Sequence, residues 1–244
     1  MCKVSGIMEP KSEVFNTDCL DYMRSLPDDA FDIAICDPPY GIGADKNQIK
    51  KASSQKVQGH SNALWKDYGD SVWDSSAPDV AFFDEVRRVS RNQIIWGANH
   101  FISRIPLDSP CWIVWDKDNG ANDFADCELA WTSFPSAVRR FKYRWAGMLQ
   151  ENMANKEERY HPCQKPVALY GWILKNFAKD GDTIFDPMMG SGSSRIAAYK
   201  LGFDFAGCER DKDFFDKSCE RFEQECHGRY LLSNGKIAVQ TSLF

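Results

Sequence analysis

The stretch "TIFDPMMGSGSSRIAAYKLGFDFAGCERD", residues 183–211, decides the fold. An apolar run meets Asp186 and Pro187, the turn Gly190-Ser191-Gly192 follows, and "SSRIAAYKLG" carries helical spacing to Gly202. A second apolar run, "FDFAGC", ends at Glu209. Strand, turn, helix and strand in about 30 residues make a βαβ unit with parallel strands. Glycines in such a turn let the backbone approach a ligand closely, and the helix beyond it offers free amides.

Outward from this unit the alternation continues. "KDFFDKSCERFEQEC" (212–226) and "PVALYGWILKNFA" (166–178), with Pro166 in its first turn, read as helices. "EVFNTDCLDYMRSLPDDAFDIAICDPPY" (13–40) reads as strand, helix and strand, with Leu20, Met23 and Leu26 at helical spacing and Pro27, Asp28 and Asp29 closing the helix. "APDVAFFDEVRRVS" (77–90) is an amphipathic helix, and "NQIIWGANHF" (92–101), "CWIVWDK" (111–117), "CELAWTSF" (127–134) and "SAVRRFKYRWAG" (136–147) are strand-like. The expected class is α/β, a doubly wound, mostly parallel sheet, in a single domain spanning 1–244.

Composition sets bounds on function. Hydrophobic residues at 43% and charged residues at 27% are ordinary globular values, and 244 residues can bury a sizeable core. No apolar run approaches the roughly 20 residues of a membrane-spanning helix, and "MCKVSGIMEPKSEV" (1–14) lacks the apolar core of a secretory signal, so a cytoplasmic protein is expected. Nine cysteines without a C-x-x-C pair or a histidine at ligand spacing argue for reduced packing thiols and against a metal site or disulfide framework. The net charge of −5 does not announce a nucleic-acid binder, so local patches must carry any such role.

A second stretch, "FDIAICDPPYGIG" (31–43), repeats the acid at a strand tip. Asp37, Pro38 and Pro39 suit a turn, because proline cannot continue a central strand. An acid beyond the carboxyl end of a buried strand also stands where open α/β sheets bind ligands, and both readings apply to Asp37. In the glycine turn Arg195 stands where the dinucleotide fingerprint needs its third glycine, which disfavours a nicotinamide enzyme. Glu209, at the next strand tip, is suited to accept both hydroxyls of a ribose. With no lysine or arginine in the turn itself, the implied cofactor is a nucleoside without a pyrophosphate, which fits S-adenosylmethionine.

"DPPY" (37–40), "HPCQKP" (161–166), "FDPMMGSGS" (185–193) and "CERD" (208–211), in that order, resemble the DNA amino-methyltransferases over about residues 13–226. The catalytic half precedes the cofactor half, a circularly permuted order similar to that of the beta group, so the resemblance implies a Rossmann-like methyltransferase fold. It implies methylation of the exocyclic amino group of adenine in DNA, with N4-cytosine or RNA methylation and a catalytically silent relative as the alternatives. A restriction-modification setting goes with this likeness.

The resemblance assigns roles residue by residue. Asp37 and the Pro38 carbonyl would accept hydrogen bonds from the amino group of a flipped base, Tyr40 would stack on its ring, and Pro39 would help to hold the loop rigid. Asp186, Pro187, Met188, Gly190, Ser191 and Gly192 would face the methionine part of the cofactor, Glu209 with Arg210 its ribose, and Lys165 its carboxylate, and Asp37 would touch the cofactor as well as the base. Asp18, with Cys19, would take the cofactor adenine; a helix N-cap is the other reading of Asp18, and both can hold. Cys36 is a packing residue in this scheme. Cys163 departs from the family's usual threonine, and Met188 and Met189 from its commoner residues.

Double-stranded DNA is the expected partner. Arg139, Arg140, Lys142 and Arg144 lie in the expected target-recognition segment, 132–160, with 140, 142 and 144 on one face if the strand runs through. Residues 41–75 read as a mobile basic loop, with Lys50 and Lys51 as DNA contacts, or else as a solvated loop. In the tail, 228–244, "QTSLF" resembles the short peptide that docks replication proteins on the sliding clamp, through Gln240, Leu243 and Phe244; a packed tail is the plainer reading. Homodimerisation is left open.

Overall fold

The structure is a computed structural model that describes residues 9–43, 74, 76–105, 107–120, 125–146, 149–161, 163–231 and 237–239. Lys50, Lys51, most of the 41–75 loop, and Gln240, Leu243 and Phe244 lie outside these residues.

The chain begins with β1 (Ser12–Phe15), α1 (Cys19–Arg24) and β2 (Phe31–Cys36). After the loop come α2 (Val80–Val89), β3 (Ser90–Trp96), β4 (Trp112–Asp116), β5 (Cys127–Thr132) and β6 (Arg139–Lys142). A small ladder of β7 (Trp145–Ala146) and β8 (Leu149–Gln150) leads to α3 (Val167–Phe177), β9 (Thr183–Asp186), α4 (Ser193–Lys200), β10 (Asp204–Cys208) and α5 (Lys212–His227). The hairpin β11 (Arg229–Leu231) and β12 (Ile237–Val239) closes the described chain.

Eight strands form one sheet in the order β1-β10-β9-β2-β3-β5-β4-β6. From β1 to β3 all neighbours are parallel, as the βαβ reading requires. Beyond β3 the sheet turns antiparallel, with β5 reversed between β3 and β4, and β6 parallel to β4. The short link from β4 to β5 explains the reversal, since a parallel crossover needs a dozen or more residues.

Alternation along β2 sets two cores. Ile33 and Ile35 face Ile94, Trp96, Trp115 and the inner sides of α3 and α4, whereas Ala34 and Cys36 face Met23, Phe82, Phe83 and Val86 of α1 and α2. Helices thus cover both faces, and β2 and β9 mark the place where the winding reverses. Ligands of doubly wound sheets bind at such a switch point.

One strand is shorter than its sequence suggests. β6 stops at Lys142: the Tyr143 amide makes the last ladder bond to the Asp116 carbonyl (2.9 Å), and the Arg144 amide then turns to the Glu151 carboxylate (3.2 Å), which starts the β7–β8 ladder. Arg144 is therefore not a strand residue.

Arg221, fully buried on α5, ties the elements around the glycine turn together. Its guanidinium donates to the Ser191 carbonyl (3.2 Å), Ser193 Oγ (2.9 Å), Glu157 (3.1 Å) and Glu225 (2.7 Å). Glu157 in turn accepts the Val167 amide at the start of α3 (3.1 Å). Arg221→Met strands these acceptors and should lower stability by about 3 kcal/mol in urea unfolding, the scale for breaking a buried pair. A loss below about 1 kcal/mol, as for an exposed pair, would show that the tie is not needed.

Candidate active site

Parallel pairing lines up the strand tips. Ile33 pairs with Ile184, and Gly207 with Asp186, so Asp37, Asp186 and Glu209 end neighbouring strands along one edge. Phe15 pairs with Cys208, which brings Asp18 and Cys19 to the same edge.

At the tip of β2, Asp37 Oδ1 accepts from the Tyr40 hydroxyl (3.0 Å) and Lys165 Nζ (2.5 Å). The Lys165 side chain is only 4% exposed, and its ammonium also meets Glu128 Oε2 at 3.1 Å and the Tyr40 hydroxyl at 3.1 Å. The Tyr40 hydroxyl lies 3.3 Å from Glu128 as well, and Glu128 Oε1 is held by Lys117. Pro38 is buried behind the loop. The Tyr40 ring lies against Gly97, where an added Cβ would come within 2.1 Å of it, and stacks on exposed His100 with centroids 5.1 Å apart.

Charge in this cluster is nearly balanced. Burial raises the Asp37 carboxyl, Lys165 pulls it down and Glu128 pushes it up, with a net rise. Burial also works against Glu128, but Lys165 and Lys117 outweigh it and hold the group down to about 2. Lys165 itself is raised despite burial, by Asp37 and Glu128.

The other half of the edge is a cradle of backbone and acids. Asp186 accepts the Met188 amide (3.0 Å) and Ser194 Oγ (2.6 Å) just past Pro187. Gly190 and Gly192 take left-handed φ of 50° and 75°, and Gly192 caps α4 beside Ser191. Glu209 binds the Gly190 amide (3.0 Å) and the Asp211 amide (2.8 Å), while Arg210 is exposed next to it. Asp18 does cap α1, accepting the Leu20 amide at 2.9 Å, and Cys19 is buried beneath it. His161, against Phe214, is pushed down to about 4 by burial.

The structure thus gathers Asp37, Pro38, Pro39, Tyr40, Asp18, Cys19 and residues 186–192, 209 and 210 at one edge. It turns Lys165 towards Asp37, so its charge is matched on the β2 side of the cleft. Arg139, Arg140, Lys142 and Arg144 are exposed and lie apart, on and just after the outermost strand. Arg140 pairs with Asp116 (3.9 Å), and Lys142 and Arg144 both with Asp118 (2.9 Å each). Sequence reading missed Glu128, Lys117, Ser194 and Arg221. The signal for Glu128 and Lys117 was a charge at the end of an otherwise apolar strand.

A family model for DNA methylases of the N6/N4 methyltransferase type matches residues 71–220. The type II methyltransferase M.HinfI of Haemophilus influenzae is 21% identical over 86% of this chain and 68% of its own length. M2.MboI of Moraxella bovis, another type II methyltransferase, is 23% identical over 86% and 87%. Among solved structures, the M1.HpyAVI–SAM complex aligns with a TM-score of 0.52 at 23% identity, over 86% of this chain and 98% of that one. The cytosine-N4-specific PvuII DNA methyltransferase aligns with a TM-score of 0.54 at 10% identity, over 86% of each chain. These two likenesses concern the fold. With its doubly wound sheet and acid-tipped edge, the chain has the architecture of a methyltransferase, and it belongs to the N6/N4 DNA methylase family.

Burial, with Asp37 and Glu209 nearby, pushes the Asp186 carboxyl up to about 7 against the opposing hydrogen bonds of Ser194 and Met188. A carboxyl raised on folding stabilises below its unfolded value near about 4 and loses that contribution as pH rises through the folded value. Asp186→Asn should match wild-type stability near pH 4 and exceed it at pH 8, on the order of 4 kcal/mol. Urea unfolding at both pH values checks this; a constant offset between the two proteins would contradict it.

Proposed function

We propose that this chain methylates the exocyclic amino group of adenine in double-stranded DNA, with S-adenosylmethionine as donor, at a short sequence and on a flipped base. The observation that carries the reading is the side-by-side placement of Asp37 and the Asp186–Glu209 cradle at one switch point. A base site and a methyl-donor site must touch for direct transfer, and adjacent strand tips satisfy that.

The cradle suits S-adenosylmethionine. Asp37, Asp186 and Glu209 crowd negative charge that a sulfonium and an ammonium would relieve, and Glu209 keeps lone pairs for ribose hydroxyls beyond its two amide bonds. Asp18 and Cys19, Pro187, Met188, Ser191 and Arg210 are the remaining contacts in this reading. The bound cofactor supplies an electrophilic methyl group on positively charged sulfur.

The chain's own residues do the positioning. The amino lone pair of adenine is delocalised into the ring and is a poor nucleophile. Asp37 Oδ2 and the Pro38 carbonyl accept its two N–H bonds and localise the pair on nitrogen, with Pro38 and Pro39 holding the acceptors still. The amino nitrogen would take the methyl group that the bound donor supplies, the displaced electron pair staying with the donor, and the surplus proton would leave through Asp37. Tyr40 offers its ring to the base, and exposed His100 now stacked on it is a ring that a base can displace.

Two arrangements bear on DNA. Residues 132–160 form the recognition segment in this reading, and β6 points the same way as β2. Four strand spacings separate the two, about 19 Å. That is the scale of a duplex, so Lys142 and Arg144 could meet the backbone beside a flipped base.

Asp37→Ala should abolish transfer of labelled methyl groups to unmethylated DNA while S-adenosylmethionine still binds. Digestion of the wild-type product to nucleosides should give N6-methyladenine; N4-methylcytosine alone would overturn the adenine assignment, and no transfer by wild type would support a silent relative. Arg140→Glu with Lys142→Glu should weaken DNA binding and lower the slope of log affinity against log salt by about 2, with cofactor affinity unchanged. An unchanged slope would exclude these residues from the interface.

A further inference from the structure

Glu128 belongs to none of the motifs, yet it touches three charged or polar groups of the site. It opens the inner end of β5, opposite Trp115, and β5 runs antiparallel to its neighbours, so this start lies at the same edge as the end of β2. The Lys165 ammonium stands between two carboxylates, 2.5 Å from Asp37 and 3.1 Å from Glu128, and the Tyr40 hydroxyl is shared in the same way at 3.0 and 3.3 Å. Both donors reach Asp37 through Oδ1 alone, so Oδ2 has no hydrogen-bond partner among the described residues.

We infer that Glu128 is a positioning residue for methyl transfer: it gives the Lys165 ammonium and the Tyr40 hydroxyl a second acceptor, so that Asp37 keeps Oδ2 for the substrate amino group. The inference rests on the base-site role proposed for Asp37.

A lone buried ammonium facing a lone carboxylate draws in both oxygens, because at low dielectric nothing else competes for it. Such a pair would leave Asp37 covered where the amino group must dock. Glu128 divides the attraction and retains Lys165 when the base arrives. Lys117 completes the set: two carboxylates and two ammonium groups are in balance, and Glu128 stays ionised. The other titratable groups around Asp37 are Asp186 and Cys36 at the ends of β9 and β2, Cys163 before α3, and Tyr170 on α3. None of them donates to Asp37.

The arrangement predicts opposite shifts for two variants. Glu128→Leu removes a like charge and the second acceptor from beside Asp37, whereas glutamine would keep an accepting oxygen, and so leaves Lys165 wholly to Asp37. The Asp37 carboxyl then ionises more easily, so the acidic limb of the kcat profile moves to lower pH while kcat at its plateau falls by about tenfold to 100-fold, as for a misplaced reacting group. Lys117→Met leaves Glu128 under-compensated, and the acidic limb moves to higher pH. The double variant Glu128→Leu with Lys117→Met restores the charge balance without restoring the second acceptor. Its acidic limb returns towards wild type and its kcat stays low.

The full-length enzyme is assayed with labelled S-adenosylmethionine and unmethylated genomic DNA from pH 5 to 9, with cofactor binding and melting followed in parallel. Shifts of opposite sign with unchanged cofactor affinity establish the role. Wild-type kcat in Glu128→Leu, or shifts of the same sign in both single variants, overturn it. If Glu128→Leu fails to fold, the double variant decides by its kcat. Failure of wild type to transfer methyl groups at all would instead remove the base-site reading, and is distinguished by the wild-type arm.

Discussion

A single buried ammonium sets the geometry on which the rest of the site depends. Lys165, 4% exposed, cannot stand unpaired in the interior, because desolvating a charge without a partner costs several kcal/mol, of the order seen for buried ions. Its partners come from the tip of β2 and the start of β5, and it rides on the segment that begins α3. Three distant pieces of chain are therefore fixed together by one charge. The same segment is tied the other way: Gln164 takes the Tyr160 amide (2.8 Å), Glu157 holds the first turn of α3, and Arg221 carries the link to Ser191 in the glycine turn. The two halves of the site are thus joined by the backbone of residues 164–167 and the polar contacts on either side of it.

That path works because β2, β3 and β9 are apolar over the residues that lead to their carboxyl ends. β2 is buried on both faces from Ile33 to Cys36, and Ile94, Ile95, Ile184 and Phe185 beside it are likewise closed to water. Chemistry is confined to the tips. Asp37, Asp186 and Glu209 stand where the backbone leaves the sheet, next to amides that turn or helix starts leave unpaired. Gly97 extends the edge on the other side of Asp37: only a residue without a Cβ leaves room for the Tyr40 ring.

What could be read from the sequence follows from this division. Apolar runs, the glycine turn and the acids at the strand ends are local, and local patterns survive in one dimension. The two-sided burial of β2 and the βαβ unit at 183–211 were legible for that reason. Glu128 was not, since its meaning comes from Lys165, 37 residues away in sequence and on another element. Arg221 sits in "SCERFEQEC", where charged residues suggest a solvated face, and only the fold shows that α5 turns it inward against Ser191 and Glu157. Lys165 was noticed through its motif, but a motif gives the residue and not its partner. The end of β6 was missed because Glu151, whose carboxylate and amide take Arg144 away from the sheet, comes from the next strand pair.

Net charge says little about such a protein, and the local arrangement shows why. The cleft gathers carboxylates and balances only some of them with Lys165 and Lys117, a surplus suited to a cationic donor. The outer strand and the turn after it gather Arg140, Lys142 and Arg144, but Asp116 and Asp118 already lie against them, and Lys142 and Arg144 hold the Asp118 carboxyl below its usual range. Exposed pairs of this kind are weak and readily exchanged, so phosphates can take the place of the two aspartates at small cost. The same aspartates lower the attraction of the strip for any anion that arrives singly. Under the proposed reading, a polyanion that offers several phosphates at once is favoured over isolated ones, and an acidic protein can bind DNA through a strip that its own carboxylates keep in check.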